Sequence, residues 1–339
     1  MERPVAISYA VFALLLILVA ALGLGTPFIA ALFCYLALKK FAFTGRRWIA
    51  LTLFLILFAA VFAGFVIFIT KGARAFPEIA EQSIPRVVKF TQDHGIEPPF
   101  TDMESLKALT LDSVRDAFGQ LSKYVRIATK EFVFLIIGIV VAIGIFLNPD
   151  FESRPHGRAG PLDLYSYYTG RIKERFASFY SSFETVIGAQ IIISAINTAF
   201  TAVFLFVSGL RYATLVMILT FICGLLPIVG NVISNTIIVC IAFIASPKLA
   251  GAALIFLVLV HKFEYFLNSR IIGGRIQNPM WLTLLALLIG EQLMGIPGMI
   301  LAPVVLSFIK VEMKKIGMDD SDFERPTTET LPRRELTRV

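Results

Sequence analysis

Two long apolar segments in the second half of this chain are each interrupted by a cluster of glycine and proline. The first runs from Tyr212 to Ala245, with Gly224, Pro227 and Gly230 near its middle. The second runs from Trp281 to Ile309, with Gly290, Gly295, Pro297 and Gly298 near its middle. A straight helix of either length would reach about 45–50 Å, and the hydrocarbon core of a bilayer is only about 30 Å thick. Each segment is therefore too long for one simple span and carries a helix breaker at mid-membrane depth. Broken backbone survives there only where protein or a water-filled cavity satisfies the freed N–H and C=O groups. A matched pair of such breaks points to the binding site of a transporter.

The setting for these breaks is a membrane. Of the 339 residues 57% are hydrophobic and 16% are charged, and several apolar runs reach transmembrane length. A soluble domain of this size carries more charge and shorter apolar runs. The net charge of +7 does not indicate nucleic acid, because Lys and Arg sit at the ends of apolar runs, where they set orientation. Cys34, Cys223 and Cys240 all lie inside apolar runs without metal-ligand spacing and read as small buried hydrophobes. Val5–Leu22 is long, has a weak basic start and is followed at once by another apolar run, so it reads as a retained first span.

The predicted fold class is an all-α polytopic membrane protein. Residues 1–70 hold spans 1 to 3, at about 5–22, 28–38 and 48–70. Residues 71–130 form an extracytoplasmic helical insert, in which Thr101 and Asp102 start an amphipathic helix with a stripe of Leu106, Leu109, Val114, Phe118, Leu121 and Val125. Span 4 lies within 131–148. Residues 149–184 form a cytoplasmic amphipathic loop, with Ile172, Phe176, Phe179 and Phe183 on one face, either at the membrane interface or packed under the bundle. Residues 185–311 form the transport core, with the broken segments at 212–245 and 281–309, and 312–339 is a flexible cytoplasmic tail.

Lys39, Lys40, Arg46 and Arg47 place their loop in the cytoplasm, and with it both chain termini. If the first broken segment dips in and returns as a re-entrant hairpin, Lys262, Arg270, Arg275, Lys310, Lys314 and Lys315 are also cytoplasmic. The expectation is about six transmembrane helices plus two oppositely oriented re-entrant hairpins whose tips meet near the midplane. Eight full spans is the alternative.

Candidate substrate- or ion-binding residues follow from polarity in apolar surroundings. Glu291, with Gln292 beside it, lies inside the second break, where an ionisable group costs about 2.5–3.5 kcal/mol and is a functional candidate; the bland alternative is a carboxylate capping its own hairpin. Asn231 and Asn235 share a helix face. They either bind a polar solute or join helices. Gln190, Ser194 and Asn197 form a polar stripe with the same two readings. Pro227, Gly230, Gly295, Pro297 and Gly298 shape the breaks, and their backbone groups are candidates for contact with substrate. Glu264, near His261 and Lys262, reads as an interfacial salt-bridged cluster or as part of the binding set.

Gly209-Leu210, Tyr212-Ala213 and Leu226-Pro227-Ile228-Val229-Gly230 resemble a stretch of the AI-2E family of membrane transporters. Asn278-Pro279-Met280-Trp281, Leu288-Ile289-Gly290, Gly295-Ile296-Pro297-Gly298-Met299 and Ala302-Pro303 are similar to that family's C-terminal signature. The resemblance covers about residues 185–311 strongly and the N-terminal spans in hydropathy layout. Family members often carry Glu-x-Asn and then Pro in the connector; here Glu264 is followed by Phe266 and Arg270 at those places. The resemblance implies a multi-pass protein of a bacterial cytoplasmic (inner) membrane and a homo-oligomer, with a pentamer as one form. It also implies activities ranging from export of a small signal molecule to sodium–proton exchange.

The function expected is secondary transport: an exporter of a small solute or signal, or an ion-coupled antiporter, working by alternating access around the two hairpins. A channel is the alternative. The expected partners are a small-molecule or ion substrate, the lipid bilayer and further copies of the chain, with no nucleic acid. No Walker motif, HExxH or Ser/His constellation appears, so neither an enzyme nor a cofactor or metal requirement is expected.

Overall fold

A computed structural model describes residues 3–93, 121–148, 164–226, 229–271 and 279–321. The insert's stripe from Leu106 to Phe118, Pro227, the connector at 272–278 and the tail beyond 321 lie outside the described residues. The described chain is helical: α1 (Arg3–Ala21), α2 (Gly25–Phe41), α3 (Arg47–Asp93), α4 (Leu121–Leu147), α5 (Leu164–Ser208), α6 (Ala213–Gly224), α7 (Val229–Ala245), α8 (Pro247–Ile271), α9 (Met280–Met294) and α10 (Ile296–Ser321). The protein is an all-α polytopic membrane protein. Among the described residues, Arg47–Gly72, Thr129–Leu147, Tyr167–Ser208 and Ile296–Ile316 are each long and apolar enough to cross a bilayer.

Spans 1 and 2 of the sequence form one bent unit. α1 and α2 meet at 118°, so together they make either a broken span or a re-entrant turn. Gly23 sits at the corner with φ +64, in the left-handed region where a Cβ is strained. Neither end of the polar insert is marked by a helix end, since α3 continues past residue 70 to Asp93 and α4 begins at Leu121. Likewise α5 starts at Leu164, well before the apolar run of span 5.

Helix α5 is the spine of the molecule, about 65–70 Å long at the helical rise, and it serves two cores. Toward its N-terminal end Phe179, Phe183 and Ile187 pack with Phe12 of α1, Ile29 and Leu36 of α2, and Leu301, Val304 and Phe308 of α10. Phe179 and Phe183 of that aromatic face are buried in the bundle, with Phe176 packed against them. Toward its C-terminal end Leu205 packs with Leu215 and Val216 of α6, Ile238, Ile241 and Ala242 of α7, Ala250, Ala253 and Leu257 of α8, and Ala75 and Ile79 of α3. A third core joins Cys34 and Leu38 of α2 to Ala50 and Phe54 of α3 and to Ala142 and Phe146 of α4.

Both broken segments fold back on themselves. In the first, Leu215 and Val216 near the start of α6 share a core with Ile238 and Ile241 in the second half of α7. A Cβ on Gly230 would run into the backbone carbonyl of Cys223, so glycine lets the two arms approach at the turn. In the second, a Cβ on Gly290 would collide with the carbonyl of Gly298, and one on Gly298 with the carbonyl of Gly290. Gly295 makes that turn with φ 63 and ψ −141, a conformation open in practice to glycine alone. Pro297 stands in the first turn of α10, where its missing N–H costs nothing. The two turns rest on different helices. The first lies against α5, while Met294 and Pro297 of the second lie against Gly25 at the start of α2.

Because the neighbour at Gly298 is backbone, it has little freedom to yield. Gly298→Val should destabilise the protein by about 1–3 kcal/mol through overpacking, read as a lower melting temperature in detergent. Gly251→Ala, whose Cβ meets open space, should leave the melting temperature unchanged or slightly raised.

Candidate functional site

The break in the first hairpin leaves carbonyl oxygens at the C-terminus of α6 without helical partners. Two side chains of α5 supply donors. Gln190 Nε2 donates to the Gly224 carbonyl at 2.6 Å, and Ser194 Oγ donates to the Phe221 carbonyl at 2.7 Å. A Cβ on Gly224 would press on Ser194, so the glycine allows this approach. Of the polar stripe on α5, then, Gln190 and Ser194 join two helices and complete the broken backbone.

Asn197, the third member, faces a cavity. It lies about one turn beyond Ser194 on α5 and lines that cavity with Thr201 of α5, Thr220 of α6, Asn231, Ser234 and Asn235 of α7, and Leu257, Val260, His261 and Glu264 of α8. The cavity measures about 10 Å³, room for about one water-sized guest. Three helices, α5, α7 and α8, thus bring Asn197, Asn231, Asn235 and Glu264 together, four candidates from three separate stretches of sequence.

Glu264 is the charged member and is buried, with 9% of its surface exposed. Asn231 Nδ2 donates to both of its carboxylate oxygens, at 2.9 and 2.8 Å. His261 Nδ1 stands 3.7 Å from Oε2 and is itself exposed. A carboxylate with one amide donor and one distant imidazole has acceptor capacity left over. Two further oxygens in the lining, Asn197 Oδ1 and Thr220 Oγ1, are buried and make no hydrogen bond. Buried polar atoms are ordinarily paired, so these groups leave capacity for a polar guest: the Glu264 carboxylate and Asn197 Oδ1 accept, and the Thr220 hydroxyl accepts or donates.

A second, larger cavity of about 410 Å³ lies where α3 meets the start of α6, lined by Lys71, Ala75, Glu78, Tyr212, Ala213, Thr214 and Leu215. There the Glu78 carboxylate accepts a hydrogen bond from the Tyr212 hydroxyl and pushes that phenol above its ordinary value of 10. This cavity is more open and its acid is already paired, so the smaller one is the stronger candidate site.

The second hairpin carries its polar residues differently. Glu291 and Gln292 are exposed near its turn, among the exposed apolar residues Leu288, Ile289, Leu293 and Ile296. Among the described residues the Glu291 carboxylate has no hydrogen-bond or ion-pair partner, while its backbone carbonyl accepts from Gly295 at 2.7 Å. Gly295, Pro297 and Gly298 form the turn itself, and Gly230 forms the close approach in the first hairpin. Pro227 is not among the described residues. Thr201, Thr220 and Ser234 are lining residues that sequence reasoning missed, because single hydroxyls in apolar helices are common and carry no spacing signal.

These features define a multi-pass α-helical membrane protein with two folded-back broken helices and an acidic residue buried in a polar cavity. Residues 4–317 match the family described as AI-2E family transporter, and the chain belongs to that family. It is 23% identical over 258 residues to the Bacillus subtilis (strain 168) protein named "Putative transport protein YdbI", covering 72% of this chain and 71% of the relative. It is 27% identical over 208 residues to "Putative transport protein YueF" of the same organism, covering 61% of this chain and 55% of the relative. Membership indicates a role in membrane transport.

If Asn231 chiefly satisfies Glu264, removing it leaves a buried carboxylate short of a donor. Asn231→Ala should destabilise the protein by about 1–3 kcal/mol, and Glu264→Gln should cost less because it removes the charge and keeps the shape. Paired thermal melts of the two variants in detergent check this order; Glu264→Gln melting below Asn231→Ala would contradict it.

Proposed function

We propose that this protein is a secondary transporter in which Glu264 carries a proton or a small monovalent cation through the cavity between α5, α6, α7 and α8. The observation that carries this reading is the combination of a buried carboxylate, two unpartnered buried oxygens and a cavity of about 10 Å³. A guest of that size is an ion or a water, not an organic solute. The cavity is therefore the coupling site, and any larger solute travels by a path that opens only in another state of the protein.

The first hairpin is the moving wall. One face of the site belongs to α6 and α7, and among the described residues their turn is tied to α5 by side-chain hydrogen bonds from Gln190 and Ser194. Tilting this hairpin exposes Glu264 to one side of the membrane and then the other, which is alternating access around a broken helix. Glu291 and Gln292 lie exposed on the second hairpin, outside this cavity. We read the transport as export of a small solute or signal, or as ion exchange, driven without ATP because the sequence carries no Walker motif. We place the protein in a bacterial cytoplasmic membrane with both ends in the cytoplasm, as a homo-oligomer with lipid around it.

Flux in proteoliposomes with an imposed proton or sodium gradient and an internal pH dye tests the assignment. Glu264→Gln should lower gradient-driven flux about tenfold to a hundredfold, the value of a charge-assisted hydrogen bond, while Glu291→Gln should retain most of it. The reverse pattern, with Glu291→Gln inactive and Glu264→Gln active, would move the coupling site to the second hairpin.

A further inference from the structure

A second buried charge cluster lies far from the cavity and joins three helices. Glu312 of α10 is 3% exposed and Arg175 of α5 is 7% exposed. Arg175 Nη1 donates to Glu312 Oε2 in a tight ion pair and also to the Tyr9 hydroxyl at 2.7 Å. Tyr9 of α1 donates to the same carboxylate oxygen at 2.6 Å, and its ring lies 4.2 Å below the Arg175 guanidinium. The other oxygen, Oε1, accepts from Ser178 Oγ at 2.5 Å and from Lys315 Nζ at 2.7 Å. Glu312 thereby satisfies donors from α1, α5 and α10 at one point. The rings of Phe12, Phe176, Phe179 and Phe308 pack beside it.

The position of this cluster matters. Arg175 is about 33 Å along α5 from Asn197 at the helical rise, so one rigid helix carries the cavity near one end and the charge cluster near the other. Glu312 stands on the long arm of the second hairpin, about 25 Å from its turn by the same measure. Charge thus contributes to tying this arm to α5 and α1. A buried ion pair is a weak source of net stability, since apolar residues of equal shape hold helices together as well or better. Its distinctive property is that, once separated, both members are stable in water, whereas separated Phe side chains are not. The Lys315 side chain is 52% exposed, so water already reaches the edge of the cluster. Arg175 Nε is buried without a partner, so the guanidinium is not fully satisfied in this closed form.

We propose that Tyr9, Arg175, Ser178, Glu312 and Lys315 form a latch that closes α10 against α5 and α1, and that it opens during the transport cycle. The second arm of the test below rests on the transport reading; the first does not. In the full-length chain with Cys34, Cys223 and Cys240 replaced, a reporter Ser182→Cys is placed one turn along α5 from Ser178, at a buried position. Its reaction with a bulky water-soluble maleimide should speed up about tenfold or more when Glu312→Gln is added, since removing one charge exposes the other. It should return toward the starting rate when Arg175→Glu and Glu312→Arg are combined. A control reporter, Ile238→Cys in the other core, should not change. An unchanged rate at Ser182→Cys, or an equal rise at both reporters, would overturn the latch.

In the second arm, Ser178→Cys and Lys315→Cys are bridged by a short reducible bis-thiosulfonate, the native side chains being 3.0 Å apart. Ion flux should stop when the bridge forms and recover on reduction. Undiminished flux through the bridged protein would show a static pin and sink the proposal. If the unbridged protein carries no flux at all while the maleimide result holds, the transport reading fails and the closure of α10 on α5 stands.

Discussion

Everything in this structure depends on satisfying the backbone of helices that break inside an apolar layer. A carbonyl freed at mid-membrane has no water to accept from, so a donor must be brought to it. At the first break Gln190 and Ser194 do this from α5. At the second, the Gly295 N–H donates to the Glu291 carbonyl at 2.7 Å, and Gly290 and Gly298 let two backbones pack where any side chain would collide. The two solutions have different consequences. A turn held by two side-chain hydrogen bonds can be released and re-formed, whereas one sealed by backbone packing moves as a unit with its long arm.

That difference organises the molecule around α5. Its C-terminal half supplies both the donors for the first turn and one wall of the Glu264 cavity. Its N-terminal half supplies Arg175, which holds the long arm of the second hairpin through Glu312. A single helix therefore touches both broken segments, although their turns lie against different helices. Two polar centres thus lie along one helix: the Glu264 cavity, walled in part by Asn197 and Thr201, and the Arg175–Glu312 pair.

The placement of the acids follows the same logic. Glu264 is buried, paired with one asparagine and surrounded by unused oxygens. Glu312 is buried and saturated with four donor groups. Glu291 is exposed. In terms of hydrogen-bond capacity, Glu264 can take on a guest, Glu312 can only exchange its partners for water, and Glu291 meets whatever surrounds the protein.

Hydropathy and the Gly/Pro clusters in the sequence were enough to determine an all-α membrane protein with two breaks, because the bilayer permits few other solutions for chains this apolar. They also marked Asn197, Asn231, Asn235 and Glu264 as polar residues needing explanation. The pairing of these residues was not legible: Asn231 and Glu264 lie on different helices, and no local spacing reports a contact between them. The same holds for Gln190 and Ser194, whose role as backbone donors appears only once α6 is seen to end beside them. The first two spans looked like a simple pair, yet α1 and α2 bend at 118° because α2 must lie against α4 and the second turn. Arg175 fell in the amphipathic loop at 149–184 and Glu312 in the tail read as flexible, whereas the helix continues to Ser321. Tertiary structure buried them together, because only three helices converging at one point can satisfy a carboxylate removed from water.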